Sequence, residues 1–336
     1  MDTKQRIRTY LSKRPSASGR ELRDHLGISR QALHVHLRTL IRSGEVAKVG
    51  STRDARYFLS TRAPASHGVS RDLSLRDLDE SSVYETLATA LNLRSLLRTN
   101  VEAILHYAFT EMLNNAIEHS NADRCKLRLR LDAWKVSFEL RDRGIGVFHS
   151  VASKLELSDE HAALIELLKG KTTTMPERHT GEGIFFTSKV ADRFVLRSHR
   201  TEVEWNEYRE DVFVSQRRYI EGTHVEFVLQ RDTRRLLDDV FSSFAPEEYD
   251  FRFQKTKVLV KLLKKDYISR SEAKRLLSNL HKFSEIILDF RGVQSMGQGF
   301  ADEIFRVFAN RHPGIKIRVE NSVPPVAAML RHVGMQ

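Results

Sequence analysis

The sequence predicts a multidomain α/β protein with three units in series, and three observations carry that reading. The first 62 residues are strongly basic and fall into three short helical patterns with a hairpin-like end. A helix-period apolar stripe over residues 103–120 is followed by an alternating strand that ends in Asp142-Arg-Gly144-Ile-Gly146, the pattern of a helix laid on a sheet. After residue 245, strands alternate with helices, which implies a small α/β layer. A chain of 336 residues can give two or three such units a core each. The boundaries read as 1–62, a linker over 63–80 containing Ala-Pro64-Ala-Ser-His-Gly68, a central domain over 81–235, and a last domain over 250–336.

In the first unit, Ile7, Tyr10 and Leu11 suggest a first helix. Ser18 to Leu26 suggests a second, ended by Gly27, and Ser29 caps a third over Arg30–Arg42. Leu33, Leu37, Leu40 and Ile41 mark the buried stripe of that third helix. Arg30, Gln31, His34 and Arg38 lie largely off the stripe, near the start, where a helix entering a groove meets base edges. Gly44 opens a segment Glu45–Val49, a turn runs through Gly50 to Asp54, and Ala55–Leu59 returns, so Lys48, Arg53 and Arg56 sit on a basic wing. His34 and His36, two apart, point in different directions and make a poor metal pair. The region holds fourteen Lys or Arg against five Asp or Glu, a net +9 of the chain's +11. The pattern resembles the winged helix-turn-helix of bacterial transcription regulators, which implies double-stranded DNA as the partner of residues 1–62.

In the central unit, Val101, Ile104, Leu105, Ala108 and Met112 form a helix face packed on a sheet. Glu111 and Asn115 stand four apart on that helix and project into one space. An Asn carbonyl is a hard oxygen ligand suited to a magnesium that keeps waters and bridges phosphates. A Glu one turn away can orient and deprotonate an attacking water or hydroxyl. Trp134, Val136, Phe138 and Leu140 share one strand parity, and Asp142 keeps it. Asp142 therefore belongs at the end of the buried face, where a carboxylate needs a donor such as an adenine amine. Gly144 and Gly146 let the backbone turn and approach a flat base. Thr223 shares the inward parity of Val225, Phe227 and Leu229. Gly181 and Gly183 open a helical run, Ile184 to Asp192, whose free N–H groups suit phosphate oxygens. Residues 147–180, with a short helix at Asp159–Leu168 and a Thr172-Thr-Thr174 run, form the stretch where a mobile lid would lie.

These residues resemble the ATP-binding domain shared by gyrase-type topoisomerases, the ninety-kilodalton chaperones, histidine kinases and anti-sigma serine kinases, the GHKL or HATPase superfamily. The resemblance covers roughly residues 80–230 and implies a Bergerat α/β sandwich, a mixed sheet under one layer of helices. It also implies ATP and Mg2+ as ligands. By motif position Glu111 corresponds to the general base, Asn115 to the magnesium ligand and Asp142 to the adenine-binding acid. Gly144 and Gly146 fall in the first glycine box, Gly181 and Gly183 in the second. Thr223 matches the threonine of the final strand, and His119 sits where anti-sigma kinases often place a histidine.

In the last unit, Val258–Leu263 reads as a strand, Glu272–Phe283 as a helix and Glu285–Phe290 as a buried strand. A helix over Gly299–Phe308, a strand over Ile315–Val319 and a closing helix over Val323–His332 follow. The stretch from Ile286 to Asp302 resembles STAS domains, the fold of anti-sigma factor antagonists, which implies a surface for a protein partner or for self-association. Gly297-Gln-Gly299 stands where antagonists carry the phosphorylated serine, and Ser295 falls two to four residues early, so an unswitched STAS-like module is expected. The pair Asp302-Glu303 fits complementarity to a helix dipole.

A lone cysteine, Cys125, excludes an intrachain disulfide and reads as packing. The N-terminus is charged from Lys4 onward without an apolar signal region, and no apolar run reaches membrane-spanning length. A cytoplasmic protein without a membrane partner is the economical expectation. Two function classes follow. One is a DNA-binding regulator whose nucleotide state, reset by hydrolysis, controls DNA or partner binding. The alternative is an anti-sigma-type serine/threonine kinase acting on a partner protein. A histidine kinase is disfavoured because no His-Glu or His-Asp dipeptide followed by Thr-Pro precedes the ATP module. A topoisomerase is disfavoured for want of room for the domain that follows the ATPase.

Overall fold

The computed structural model describes residues 2–14, 16–43, 45–49, 55–59, 67–132, 134–171, 181–209, 211–249, 252–262, 266–267 and 269–334. The chain divides into two compact units, Met1–Ser66 and His67–Gln336.

The first unit begins with α1 (Thr3–Ser12), followed by β1 (Ala17–Ser18), α2 (Gly19–Leu26), α3 (Arg30–Arg42), β2 (Val46–Val49) and β3 (Arg56–Leu59). A capping box between Ser18 and Glu21 starts α2, and Gly27 at φ +66° ends it. The Ser29 hydroxyl accepts the Ala32 N–H and starts α3. Leu33, Leu37 and Leu40 close over Ile7, Leu11, Leu22 and Leu26. The antiparallel sheet runs β1-β3-β2. Ile41, expected in the buried stripe, is 37% exposed. Leu37 and Leu40 already fill that contact, and position 41 has rotated past the core edge. The turn from Gly50 to Asp54, with Arg53, lies outside the described residues.

The second unit starts with a correction. Within the expected linker, His67–Ser74 forms β4, the edge of a five-stranded sheet ordered β4-β5-β6-β8-β7. Helices α4 (Glu80–Ala90), α5 (Leu93–Leu96) and the 21-residue α6 (Thr99–His119) follow it. Then come β5 (Arg124–Leu131), β6 (Lys135–Asp142), α7 (Val147–Lys154), α8 (Glu160–Lys169) and α9 (Gly183–Val190). The sheet is completed by β7 (Arg193–Asn206) and β8 (Asp211–Gln230). A mixed sheet was expected, yet each of its pairings is antiparallel. The short β5–β6 and β7–β8 connections require hairpins. α6 lays Val101, Ile104, Leu105, Ala108 and Met112 on Val136, Phe138 and Leu140, as the parities required.

Beyond the sheet lies α10 (Leu237–Phe244), between the expected domains, then β9 (Lys255–Leu259) and β10 (Asp266–Tyr267). Next are α11 (Arg270–Leu277), β11 (Glu285–Asp289), β12 (Ser295–Met296), α12 (Gln298–Asp302) and α13 (Ala309–Arg311). β13 (Lys316–Glu320) and α14 (Pro324–His332) end the chain. The parallel sheet runs β13-β11-β9. The α11 helix stops short of the expected Phe283 because Asn279 adopts φ +60°. Residues Glu303–Phe308, between α12 and α13, wind as a π-helix, and Glu303 is buried, so it is not a surface complement to a dipole.

Two features weld this module to the nucleotide-sized cleft beside α6. Phe185 and Phe186 of α9 belong to the core of the C-terminal module, packed against Phe244 and Phe253. Lys169, 1% exposed, donates to Glu166 Oε1 at 2.7 Å and to the Ser278 carbonyl at 2.8 Å. Asn279 donates to the other Glu166 oxygen at 3.0 Å. Burial pulls the Lys169 ammonium below its ordinary value and Glu166 pulls it back. Breaking such a buried pair strands a charge at a cost of about 3–5 kcal/mol. Glu166→Ala should therefore lower the thermal midpoint of the second unit markedly in calorimetry; an unchanged midpoint contradicts the weld.

Candidate functional site

The side of α6 turned from its core carries Tyr107, Glu111, Asn114, Asn115 and His119, repeating every three to four residues along one wall of a cavity of about 610 Å³. The first glycine-rich loop and α7 contribute Val147 and Val151, and the α9 start contributes Gly181, Glu182, Gly183 and Ile184. Thr223 of β8 also lines it. The remaining wall comes from α10 and the start of the C-terminal module, through Asp238, Phe241, Ser242 and Phe253.

Gly183 sits directly on Glu111. A Cβ at position 183 would lie 2.0 Å from Glu111 Oε2, so no other residue fits without displacing the carboxylate. Gly181 adopts φ +74°, the left-handed turn that brings the chain round into α9. Burial raises the Tyr107 phenol above its usual value, and the carboxylates of Glu111 and Glu182 raise it further.

Asp142 is 5% exposed, at the inner end of β6, and its Oδ1 accepts N–H groups from Gly144 at 2.9 Å and Thr223 at 3.1 Å. Burial raises its carboxyl above the usual range against those two donors. The Thr223 hydroxyl accepts the Val147 N–H at 3.0 Å, which ties β8 to the start of α7. A Cβ at Gly144 would meet the Ser120 carbonyl at 1.8 Å, so that loop packs against the end of α6. Glu111, Asn115, His119, Gly181, Gly183 and Thr223 thus share the cavity wall. Asp142, Gly144 and Gly146 are not on that wall; Asp142 stands behind Thr223, bonded to its N–H.

Among the described lining residues three are carboxylates and none is Lys or Arg. The Asn115 Nδ2 is buried without a hydrogen-bond partner, and a side-chain amide can present its oxygen to a cation or its N–H to an anion. An acidic wall with an uncommitted amide suits a triphosphate that arrives with a divalent cation. No cluster of three or more His, Cys, Asp or Glu able to hold a metal occurs among the described residues.

Tyr107 and Asn114 follow the same helical period as Glu111 and could have been read from it. Asp238, Phe241 and Phe253 could not, because nothing in their local sequence says that they return more than a hundred residues later to α6.

In the first unit, Arg30, Gln31, His34 and Arg38 are exposed on α3, with Val35 among them at 62% exposure. Arg56 instead turns to Glu21 at 3.0 Å. Arg53 lies outside the described residues. No helix among the described residues is long and apolar enough to cross a membrane.

Comparison with known families agrees with two of the three units. Residues 78–205 match the histidine kinase-like ATPase domain. Residues 272–327 match a STAS-like domain of unknown function (DUF4325). No curated protein matches the chain. The chain carries a histidine kinase-like ATPase domain, which implies ATP binding, joined to a C-terminal STAS-like domain.

Proposed function

We propose that this is an ATP-hydrolysing, DNA-binding regulator in which nucleotide state controls what the other domains bind. The observation that carries it is the double duty of α9. Its first residue, Gly183, lies against Glu111, and the same turn puts Phe185 and Phe186 into the C-terminal core. A nucleotide that shifts this helix shifts the STAS-like module with it.

Within the cavity, Glu111 takes the proton of a water that attacks the γ-phosphorus. The bond to the β–γ bridging oxygen breaks and ADP leaves with that oxygen. Gly183 keeps the carboxylate in place. Asn115 would hold Mg2+, whose role is to neutralise charge on the phosphates. Asp142 recognises the adenine amine through the loop it organises, with Gly144, Gly146 and Thr223 shaping the base pocket. The N–H groups at Gly181 and Gly183 meet phosphate oxygens, and His119 closes the α6 end. In the first unit Arg30, Gln31, His34 and Arg38 meet base edges of double-stranded DNA. Val35 suits a thymine methyl, and Arg53 and Arg56 approach the backbone as a wing.

Glu111→Ala should still bind ATP but turn it over about 10²–10⁴-fold more slowly, as loss of a general base implies. Asp142→Asn should instead weaken ATP binding itself. Calorimetry beside a phosphate-release assay separates the two, and identical behaviour of both variants contradicts the division of roles. Gly183→Ala displaces the carboxylate and should cost about 100-fold in turnover, the scale of a 1 Å misplacement. Wild-type turnover in that variant contradicts the seating. Phosphate transferred from labelled ATP to a protein, in place of release, would favour a kinase. Duplex binding should fall steeply with salt, and its sequence preference should vanish when residues 1–62 no longer present Arg30, Gln31 and Arg38. Sequence preference in electrophoretic shifts that survives alanine at all three contradicts the recognition helix.

A further inference from the structure

Within the second unit, the described helices pack on one face of the five-stranded sheet. Its other face carries the alternate residues of each strand, and the register sets a row of cations across it. Lys126 of β5 is opposite Arg141 of β6, Arg141 is opposite His224 of β8, and His224 is opposite Arg197 of β7. Like charges directly opposite on neighbouring strands destabilise a sheet. Three cations, Lys126, Arg141 and Arg197, with the His224 imidazole between the last two, make a track of roughly 14 Å across strands about 4.8 Å apart.

The nearby acids are committed elsewhere. Asp72, opposite Lys126, is held by Arg124 at 2.8 Å. In the adjacent row, Glu139 faces Arg128 at 3.8 Å. Glu226 faces Arg193 at 2.8 Å and reaches His224 only at 3.9 Å. Lys126, Arg141 and Arg143 make no side-chain hydrogen bond or ion pair among the described residues. Arg197 donates one N–H to the Arg218 carbonyl, while its buried Nε has no partner. Burial depresses the His224 imidazole, and Arg141 and Arg197 add to this against Glu226 and Glu139. At the β5 end of the row, a hollow of about 450 Å³ gathers Arg124, Lys126, Arg141 and Arg143, with Asp72 and Asp123 at its side.

We propose that this row, Lys126–Arg141–His224–Arg197, binds the phosphate backbone of duplex nucleic acid without regard to sequence. A linear, evenly spaced polyanion is what a straight cation row fits. One DNA strand advances about 3.4 Å per charge, so the row faces roughly four phosphates. An acidic protein would need apolar anchors beside the row; the exposed large apolar residues include none on β4, β5 or β6, and the two on β8, Phe213 and Tyr219, stand eleven and five residues before His224. Arginine forks serve phosphate better. The surface belongs to the second unit and stands apart from the reading of residues 1–62.

The test uses the full chain carrying Lys126→Gln, Arg141→Gln and Arg197→Gln together. Fluorescence anisotropy against several unrelated duplexes, over a range of salt, gives the slope of log affinity against log salt. The variant should bind all duplexes more weakly by a similar factor, with a slope shallower by about two to three. Its thermal midpoint should be no lower than wild type, because like charges are relieved. Lys126→Gln alone should flatten the slope by about one. Arg128→Gln, whose guanidinium faces Glu139, should leave it unchanged. An unchanged slope in the triple variant overturns the proposal. So does a triple variant that loses binding to polyglutamate or to phosphatidylserine vesicles while it keeps wild-type duplex binding. Arg30→Ala with Gln31→Ala tests residues 1–62 separately, since those changes act on sequence preference and not on this slope.

Discussion

The second unit depends on one contact, the seating of a glycine on a carboxylate. Gly183 lies so close to Glu111 that a methyl group there would stand 2.0 Å from Oε2. The contact stands at the first residue of α9, and that helix reaches both the cavity and the C-terminal core. Its first turn lines the cavity through Gly183, Ile184 and Phe186 and puts Phe185 and Phe186 into the C-terminal core. A cavity wall and a domain core therefore share one helix of eight residues. Such a helix cannot move at one end without repacking the other, because close-packed interiors rearrange between discrete states.

The charge arrangement supports the same division of labour. Inside the cavity the described wall carries three carboxylates and no Lys or Arg. On the opposite side of the same sheet, cations stand in line without matching acids. The strands separate the two because their side chains alternate. Lys169 and Glu166 hold the third boundary, where α8 meets the turn after α11. There the buried Lys169 donates to Glu166 and to two carbonyls, and Asn279 donates to the other Glu166 oxygen.

Much of this was legible in the sequence wherever one periodicity dominated. The α6 stripe, the β6 parity that carries Asp142 inward, and the Ser29 cap of α3 each follow from local spacing and appear as read. What escaped lacked such a signal. β4 turns only Val69 and Leu73 inward, so an edge strand resembled a polar linker. The antiparallel sheet was misjudged because pairing direction depends on connections and not on strand composition. Ile41 followed the apolar pattern yet lies past the edge of the core. The candidate site was legible on α6, β6, α9 and β8, where motifs are short. Its other wall, from Asp238 to Phe253, is created by long-range packing alone. The cation row was hidden for the same reason, since strand register and not sequence places Arg141 between Lys126 and His224.

The most direct measurement is calorimetric titration of the full, folded chain with ATP, with magnesium and again in excess chelator. The expected result is a single saturable binding event with magnesium that weakens sharply without it, as an acidic cavity with an uncommitted amide requires. No heat in either condition, or equal affinity in both, would contradict a cavity built to take a triphosphate with its metal.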